Sequence, residues 1–134
     1  MPPPRASTGG LTAIDSQTNA LIAGRAAVEK QAEHVVVMDL RAVSTVTDFF
    51  VICTADSARQ LNALKGHLET VLGQRGCPVW HTEGAPGAAI GEPQWVLLDC
   101  GEIVIHLLDP RARAFYRLEE LWADAPRIPL PSGS

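Results

Sequence analysis

The residues best suited to chemistry in this sequence are Asp99 and His106, which lie in two neighbouring apolar segments. A carboxylate beside an imidazole supplies two of the three groups of a hydrolytic triad, which also needs a Ser or Cys nucleophile on a tight turn. The sequence contains no GxSxG motif or similar turn to supply that nucleophile. We therefore interpret the pair as an ion pair or as part of a contact surface.

The potential metal ligands are scattered along the chain. No two histidines or cysteines have the spacing of a zinc-binding helix or knuckle. Grouped carboxylates would be needed to hold Mg²⁺, but the candidates are solitary in the sequence: Asp39, Asp48, Asp56 and Asp99. The sequence therefore predicts no metal and no other cofactor.

The segment from Thr54 to Ser57 leaves a predicted strand and enters a predicted helix, where backbone N–H groups could hold a phosphate. Phosphate-binding turns generally use glycine so that the backbone can approach the ligand, and this segment has none. The chain also lacks GxxxxGKS and GxGxxG motifs. Ser57 is therefore predicted to cap a helix.

The composition indicates one folded domain with no broad nucleic-acid-binding surface. Hydrophobic residues make up 46% of the 134 residues, charged residues make up 19%, and the net charge is −4. Scattered basic residues do not form the positive field that nucleic acid requires, whereas an acidic protein can dock on a basic protein. We expect no sequence-specific nucleic-acid binding.

The cysteines and the N-terminus indicate a location inside the cell. The three cysteines are odd in number and have no CxxC spacing, and Cys53 and Cys100 lie in apolar segments where thiols pack as small hydrophobic groups. Residues 1–5 lack the apolar core of a secretion signal, and no apolar run approaches the roughly 18 residues of a membrane span. We expect a cytoplasmic protein without membrane contact.

Hydrophobic periodicity predicts an α/β domain over residues 16–125, with a single mixed sheet of about five strands flanked by helices. Residues 1–15 and 126–134 are rich in Pro, Gly, Ser and Thr and are predicted to be a disordered N-terminal segment and a flexible tail. The predicted helices are Thr18 to Glu33, Ser57 to about Gly73, and Arg111 to Trp122, the last with Phe115, Leu118 and Leu121 against the sheet. The predicted strands are His34 to Leu40, Phe49 to Thr54, Pro78 to His81, Trp95 to Asp99 and Ile103 to Leu108.

The last two strands form a predicted hairpin whose two faces differ in composition. Alternation puts only apolar residues on one face: Val96, Leu98, Ile103, Ile105 and Leu107. The other face is mixed and carries Trp95, Leu97, Asp99, Val104, His106 and Leu108. Such a mixture is typical of an interface centre, but a helix could also cover it, with Asp99 bonded to His106 or capping the turn.

Seven short segments carry a resemblance to a known family, in which they occur in the same order. They are Met38 to Leu40, Thr47 to Thr54, Ser57 to Gln60, Glu83-Gly84, Trp95 to Asp99, Gly101 to His106 and Phe115 to Trp122. On these segments the chain resembles the ribosomal silencing factors, the Iojap family, from about Thr18 to Ala125. Two departures are a longer loop over residues 84–94 and the replacement of a glycine-bearing turn by Ala55-Asp56.

The resemblance implies a homodimer with a nucleotidyltransferase-like fold that lacks that fold's catalytic carboxylates, and hence a protein that is not an enzyme. It implies binding to the fourteenth protein of the large ribosomal subunit, which would keep the small subunit from joining and lower translation when nutrients are scarce. By position, the implied contact residues are Trp95, Asp99, Gly101, Glu102 and His106, with Glu83 near the rim.

Two other functions stay open at this point. A nucleotide-binding or nucleotidyltransferase-like enzyme would place Ser57 and Arg59 near phosphates and Asp99 on a metal. A dimerisation or scaffold domain would use the mixed hairpin face for self-association.

Overall fold

The computed structural model describes residues 10–84 and 94–130, with side chains from residue 16 onward. The helices in these ranges are α1 (Gly10–Glu29), α2 (Ala58–Gln74), α3 (Pro110–Tyr116) and α4 (Leu118–Leu121). The strands are β1 (Glu33–Asp39), β2 (Phe49–Thr54), β3 (His81–Glu83), β4 (Trp95–Asp99), β5 (Ile103–Leu108) and β6 (Arg127–Ile128).

All six strands form one sheet in the order β3-β4-β5-β2-β1-β6. The central strands β2 and β5 are parallel, and every other neighbouring pair is antiparallel. Both central strands consist almost entirely of buried residues, as expected for strands covered on two faces. The predicted single mixed sheet flanked by helices is therefore confirmed, with six strands rather than about five.

Helices α1 and α2 cover one face of this sheet and form the larger core. Helix α2 contributes the leucine row Leu61, Leu64, Leu68 and Leu72, all fully buried. Helix α1 contributes alanines, whose small side chains allow the helix to lie close to the strands. The hairpin residues in this core are Val96, Leu98, Ile103, Ile105 and Leu107, so the predicted apolar face is confirmed.

The start of α2 follows the predicted capping pattern. Ser57 Oγ accepts a hydrogen bond of 3.1 Å from the backbone N–H of Gln60. The side-chain oxygen of Gln60 accepts from the backbone N–H of Asp56 at 2.8 Å, and its amide nitrogen donates to the carbonyl of Gln31 at 3.0 Å. Ser57 is therefore the N-cap of α2, and Gln60 also ties this helix to the end of α1.

Helices α3 and α4 cover part of the second face, and they correct the prediction of one continuous helix. Arg117 adopts a left-handed conformation with φ of +50°, which ends α3 and redirects the chain. Leu118 then packs in a second, smaller core between these helices and the sheet, whereas Phe115 is 73% exposed and Leu121 is 72% exposed. The prediction that Phe115 and Leu121 pack against the sheet was wrong because it assumed unbroken helical periodicity.

An ion pair holds the two short helices together. Arg113 donates from Nε and Nη2 to both carboxylate oxygens of Glu119, at 2.9 and 2.6 Å. The same guanidinium donates to Thr54 Oγ1 at 2.8 Å and to the carbonyl of His34 at 2.9 Å. Arg113 therefore connects α3 and α4 to the ends of β1 and β2.

The ordered secondary structure extends closer to both ends of the chain than predicted. Helix α1 begins at Gly10, inside the segment predicted to be disordered; residues 1–9 lie outside the described residues. The predicted flexible tail is wrong for its first residues, because Ile128 pairs with Val37 and Arg127 pairs with Met38. Leu130 also packs on the larger core beside Gly24, so apolar burial orders this segment despite its prolines.

The short third strand lies at His81–Glu83 rather than at the predicted Pro78 to His81. It forms the edge of the sheet beside β4. Most of the longer loop expected over residues 84–94 lies outside the described ranges, because these omit residues 85–93.

We predict that Arg113→Ala lowers the free energy of unfolding by about 2 kcal/mol, because it leaves a half-buried carboxylate, a buried hydroxyl and a carbonyl without their donor. Lys65→Ala is the control, since Lys65 pairs with Glu69 on the helix surface and its loss should cost about 0.5 kcal/mol or less. Urea unfolding measures both. Equal stability of the two variants would contradict this role for Arg113.

Candidate functional site

The strand register assembles a mixed face at the β3 side of the sheet. Glu83 pairs with Leu97, which pairs with His106, and His81 pairs with Asp99, which pairs with Val104. Directly paired residues in antiparallel strands point to the same side. We call this surface the hairpin face; it consists of His81, Glu83, Trp95, Leu97, Asp99, Val104, His106 and Leu108.

Burial increases across the hairpin face from the edge strand to the centre of the sheet. The side chains of β3 are exposed or partly exposed, those of β4 are half-buried, and those of β5 are buried. The difference arises because Leu108 lies in the second core with Ala112 of α3 and Leu118 of α4. A helix therefore covers β5, as one of the two interpretations had it, and β3 and β4 are left open. The interpretation of this open half as an interface stays a prediction.

Trp95 is held in place at the boundary between the two halves. Its indole Nε1–H donates to Nδ1 of His106 at 3.1 Å. On its other side the ring of Tyr116 lies 4.4 Å away between centroids, and the ring of Phe50 lies 4.5 Å from His106. The indole is therefore both partly exposed and fixed in orientation, as an aromatic anchor in an interface should be.

His106 is neutral in this arrangement. Its side chain is 4% exposed, and burial lowers its pKa to about 4. Because Nδ1 accepts the hydrogen bond from Trp95, the ring proton belongs on Nε2, which is buried and has no hydrogen-bond partner among the described residues. A neutral imidazole serves here as the acceptor that orients the indole.

Asp99 forms no ion pair with His106, so that part of the sequence interpretation was wrong. Its Oδ1 instead accepts from the backbone N–H of Gly101 at 2.8 Å, as in the alternative in which Asp99 caps the turn. Gly101 has φ of +86°, a left-handed conformation that favours glycine. These two residues shape the turn that joins β4 to β5.

Glu102 is separated from the other predicted contact residues. Its carboxylate accepts a hydrogen bond from the hydroxyl of Ser16 on α1, which lies on the opposite face of the sheet. Its carbonyl accepts from the backbone N–H groups of Asp48 at 2.9 Å and Phe49 at 3.1 Å. Glu102 therefore connects α1 and the start of β2 to the hairpin turn.

Glu83 is exposed at the edge of the hairpin face. Its carboxylate lies 3.1 Å from Nε2 of His81 on the same strand. The structure thus brings Glu83, Trp95, Asp99 and His106 to one face, with Gly101 at its end, and directs Glu102 away.

Two aromatic residues that sequence reasoning did not assign to the site extend the hairpin face. Phe115 contacts Tyr116 with centroids 5.0 Å apart, and Tyr116 contacts Trp95. We call these three residues the aromatic strip. Helical periodicity had assigned Phe115 to the core, and the break at Arg117 that exposes it has no glycine to signal it.

Nothing in the described ranges assembles a metal site or a membrane span. Over residues 10–84 and 94–130, His, Cys, Asp and Glu side chains do not gather in groups of three or more that could hold an ion. No helix in the same ranges has the length and apolar character needed to cross a bilayer. The hydroxyl of Ser57, the candidate phosphate ligand, caps α2.

We predict that the protein loses stability as the pH falls from about 6.5 to 4. The fold holds His106 neutral, with a pKa near 4 against 6.5 for a free histidine, so only the unfolded chain binds a proton in this window. The contribution amounts to about 3 kcal/mol at most. Urea unfolding at a series of pH values should show a steeper loss for the wild type than for His106→Gln.

The carboxylates of Asp39 and Glu119, whose pKa values are lowered by hydrogen bonds from Arg41 and Arg113, also reduce stability in acid. Both carboxylates are present in the wild type and in His106→Gln, so their contributions to the pH dependence of stability cancel in the comparison. Parallel stability curves for the wild type and His106→Gln would show that His106 is not buried in its neutral form.

The chain matches the sequence profile of a family described as "Ribosomal silencing factor during starvation" over residues 13–134. A ribosomal silencing factor from Halalkalibacterium halodurans is 37% identical over 109 residues, which cover 81% of this chain and 89% of that protein. A more distant mouse protein, named for mitochondrial assembly of the ribosomal large subunit, is 31% identical over 70% of this chain and 40% of its own length.

Solved structures agree with this match. A crystal structure of a protein from Bacillus halodurans superposes with a TM-score of 0.69 at 34% identity, covering 85% of this chain and 99% of the other. The resemblance carried by the seven sequence segments is thereby confirmed. The chain belongs to the family of ribosomal silencing factors.

Proposed function

We propose that this chain represses translation by binding the large ribosomal subunit through the open half of the hairpin face and so blocking the small subunit from joining. The partner that we propose is the fourteenth protein of the large subunit. The observation that carries the proposal is a fixed, partly exposed Trp95 on a mixed face, in a chain whose relatives are named ribosomal silencing factors.

The proposed contact is compatible with the composition of the open face. Trp95 and Tyr116 supply aromatic area, and Leu97 supplies aliphatic area between them and the edge strand. Asp99 and Glu83 add carboxylates at one end and at the edge. Aromatic anchors surrounded by a few polar groups are common at interface centres, and the acidic groups complement the basic surface of a ribosomal protein.

The fixed orientation of Trp95 supports tight binding. A side chain already held by a hydrogen bond and a ring contact loses little conformational entropy when a partner covers it. Binding then requires no rearrangement of the hairpin. The proposed mode of action is occlusion of a surface on the large subunit, without any catalytic step.

A non-enzymatic role is part of the proposal. The matching relatives are named as silencing factors rather than as enzymes. The residues that a nucleotidyltransferase-like activity would need have other roles here, since Ser57 caps α2 and Asp99 caps the hairpin turn. We also propose a cytoplasmic homodimer, on the basis of the family likeness.

We predict that Trp95→Ala weakens binding to purified large subunits by about 30-fold, as loss of an anchor of about 2 kcal/mol would. The measurement is co-sedimentation over a range of protein concentrations, with circular dichroism to show that the variant is folded. Unchanged binding by a folded Trp95→Ala protein would contradict the assignment of the hairpin face.

Trp80→Ala is the matched control. Trp80 is 42% exposed and precedes β3, so it is an exposed tryptophan outside the set of residues that forms the hairpin face. Its binding should stay within about threefold of the wild type, a difference that corresponds to less than 1 kcal/mol. The oligomeric state of Trp95→Ala, measured by light scattering, should match the wild type; a change would favour use of this face for self-association.

A further inference from the structure

Two of the three cysteines, Cys77 and Cys100, lie close together beside the hairpin turn. Cys77 follows α2, where its backbone N–H donates to the carbonyl of Leu72 at 2.8 Å. Cys100 directly follows β4, and its backbone N–H donates to the carbonyl of Ile103 at 2.9 Å. The Sγ atom of Cys77 lies 4.0 Å from the carbonyl oxygen of Cys100, so the two side chains are neighbours.

The two thiols have different environments. Cys77 is partly exposed, whereas Cys100 is 4% exposed. The neighbouring Cys100 side chain, acting as a hydrogen-bond donor, favours the thiolate and lowers the pKa of Cys77. The interaction with Cys77, together with burial, raises the pKa of Cys100. Cys77 is thus the thiol that solvent reaches and that ionises first, and Cys100 is the buried thiol beside it.

Cys53 provides an internal reference for this pair. Its thiol is fully buried in the larger core, and burial raises its pKa to about 12. The Cys53 thiol is not hydrogen-bonded to either of the other cysteines. An oxidant that selects accessible thiolates should leave it unmodified.

We propose that Cys77 and Cys100 form an oxidation site at which a hydroperoxide converts the two thiols into one intramolecular disulfide. The thiolate of Cys77 attacks a peroxide oxygen and breaks the O–O bond, which yields a sulfenic acid on Cys77 and releases hydroxide. The sulfur of Cys100 then attacks the sulfur of Cys77. The S–S bond forms, the S–OH bond breaks, and the hydroxyl leaves as water with the proton from Cys100.

In this reaction two thiols and one hydrogen peroxide become one disulfide and two waters. The bridge would fasten the end of α2 to the turn that contains Gly101, next to Asp99 of the hairpin face. It would also close a loop that includes residues 78–99, which restricts the unfolded chain and stabilises the fold. The inference concerns the thiols alone and does not depend on binding to the ribosome.

The test is peptide mapping of the full-length chain after treatment with hydrogen peroxide. Free thiols are alkylated under denaturing conditions, and the protein is cleaved without reduction after Arg75, Glu83 and Glu102. These cuts place Cys77 in the peptide 76–83 and Cys100 in the peptide 84–102. We expect the two peptides to be linked, with the link removed by dithiothreitol, and Cys53 to be alkylated.

Variants separate this site from general oxidation. Cys53→Ser should form the link as the wild type does, and Cys77→Ser should not form it. The oxidised wild type should melt about 5 °C above the reduced protein, and Cys77→Ser should show no such rise. A link between different molecules, a link to Cys53, or sulfinic acid on Cys77 without any link would overturn the proposal.

Discussion

The parallel pairing of β2 with β5 determines how the rest of this structure is arranged. Both strands are covered on two faces, so helices must pack on each side of the sheet centre. The long helices α1 and α2 cover one face completely enough to form the larger core. On the other face the short helices α3 and α4 form a smaller core with residues of β1, β2 and β5, and this core reaches β4 only at Trp95, so most of β3 and β4 stays open.

This arrangement explains why a buried histidine supports an exposed tryptophan. His106 lies on β5 and is buried because the central strand is covered, and burial keeps its imidazole neutral. Trp95 lies on β4, where cover ends, and its indole donates to that imidazole. A protonated histidine has no free acceptor for this bond, so a neutral His106 is a condition for the orientation of Trp95. The same covering thus defines both the boundary of the core and the orientation of Trp95 at its edge.

The elements with clear periodicity could be predicted from the sequence. β2, β4, β5 and the cap of α2 lie where alternation and capping residues put them, and the two faces of the hairpin follow from the side-chain period of two. The family could also be identified from its ordered segments. The order of the strands could not be predicted, because it depends on contacts between residues distant in the sequence.

Other parts of the fold and site depended on long-range contacts that no local pattern reveals. The break at Arg117 is stabilised by the ion pair between Arg113 and Glu119, and only that break exposes Phe115. Glu102 was predicted to be a contact residue together with Trp95 and His106. Its carboxylate instead accepts a hydrogen bond from Ser16, which directs the side chain toward α1. The tail was predicted to be flexible from its prolines, although Ile128 pairs with the edge of β1.

The central claim is that the aromatic strip and the open hairpin face contact the fourteenth protein of the large subunit. It is tested most directly by placing a photoreactive benzophenone side chain at position 115 and irradiating the complex with large subunits. The account predicts a cross-link to the fourteenth protein, and none from the same group at position 46, where Val46 is 81% exposed in the connection between β1 and β2. Cross-links to that protein from position 46 but not from position 115 would contradict it.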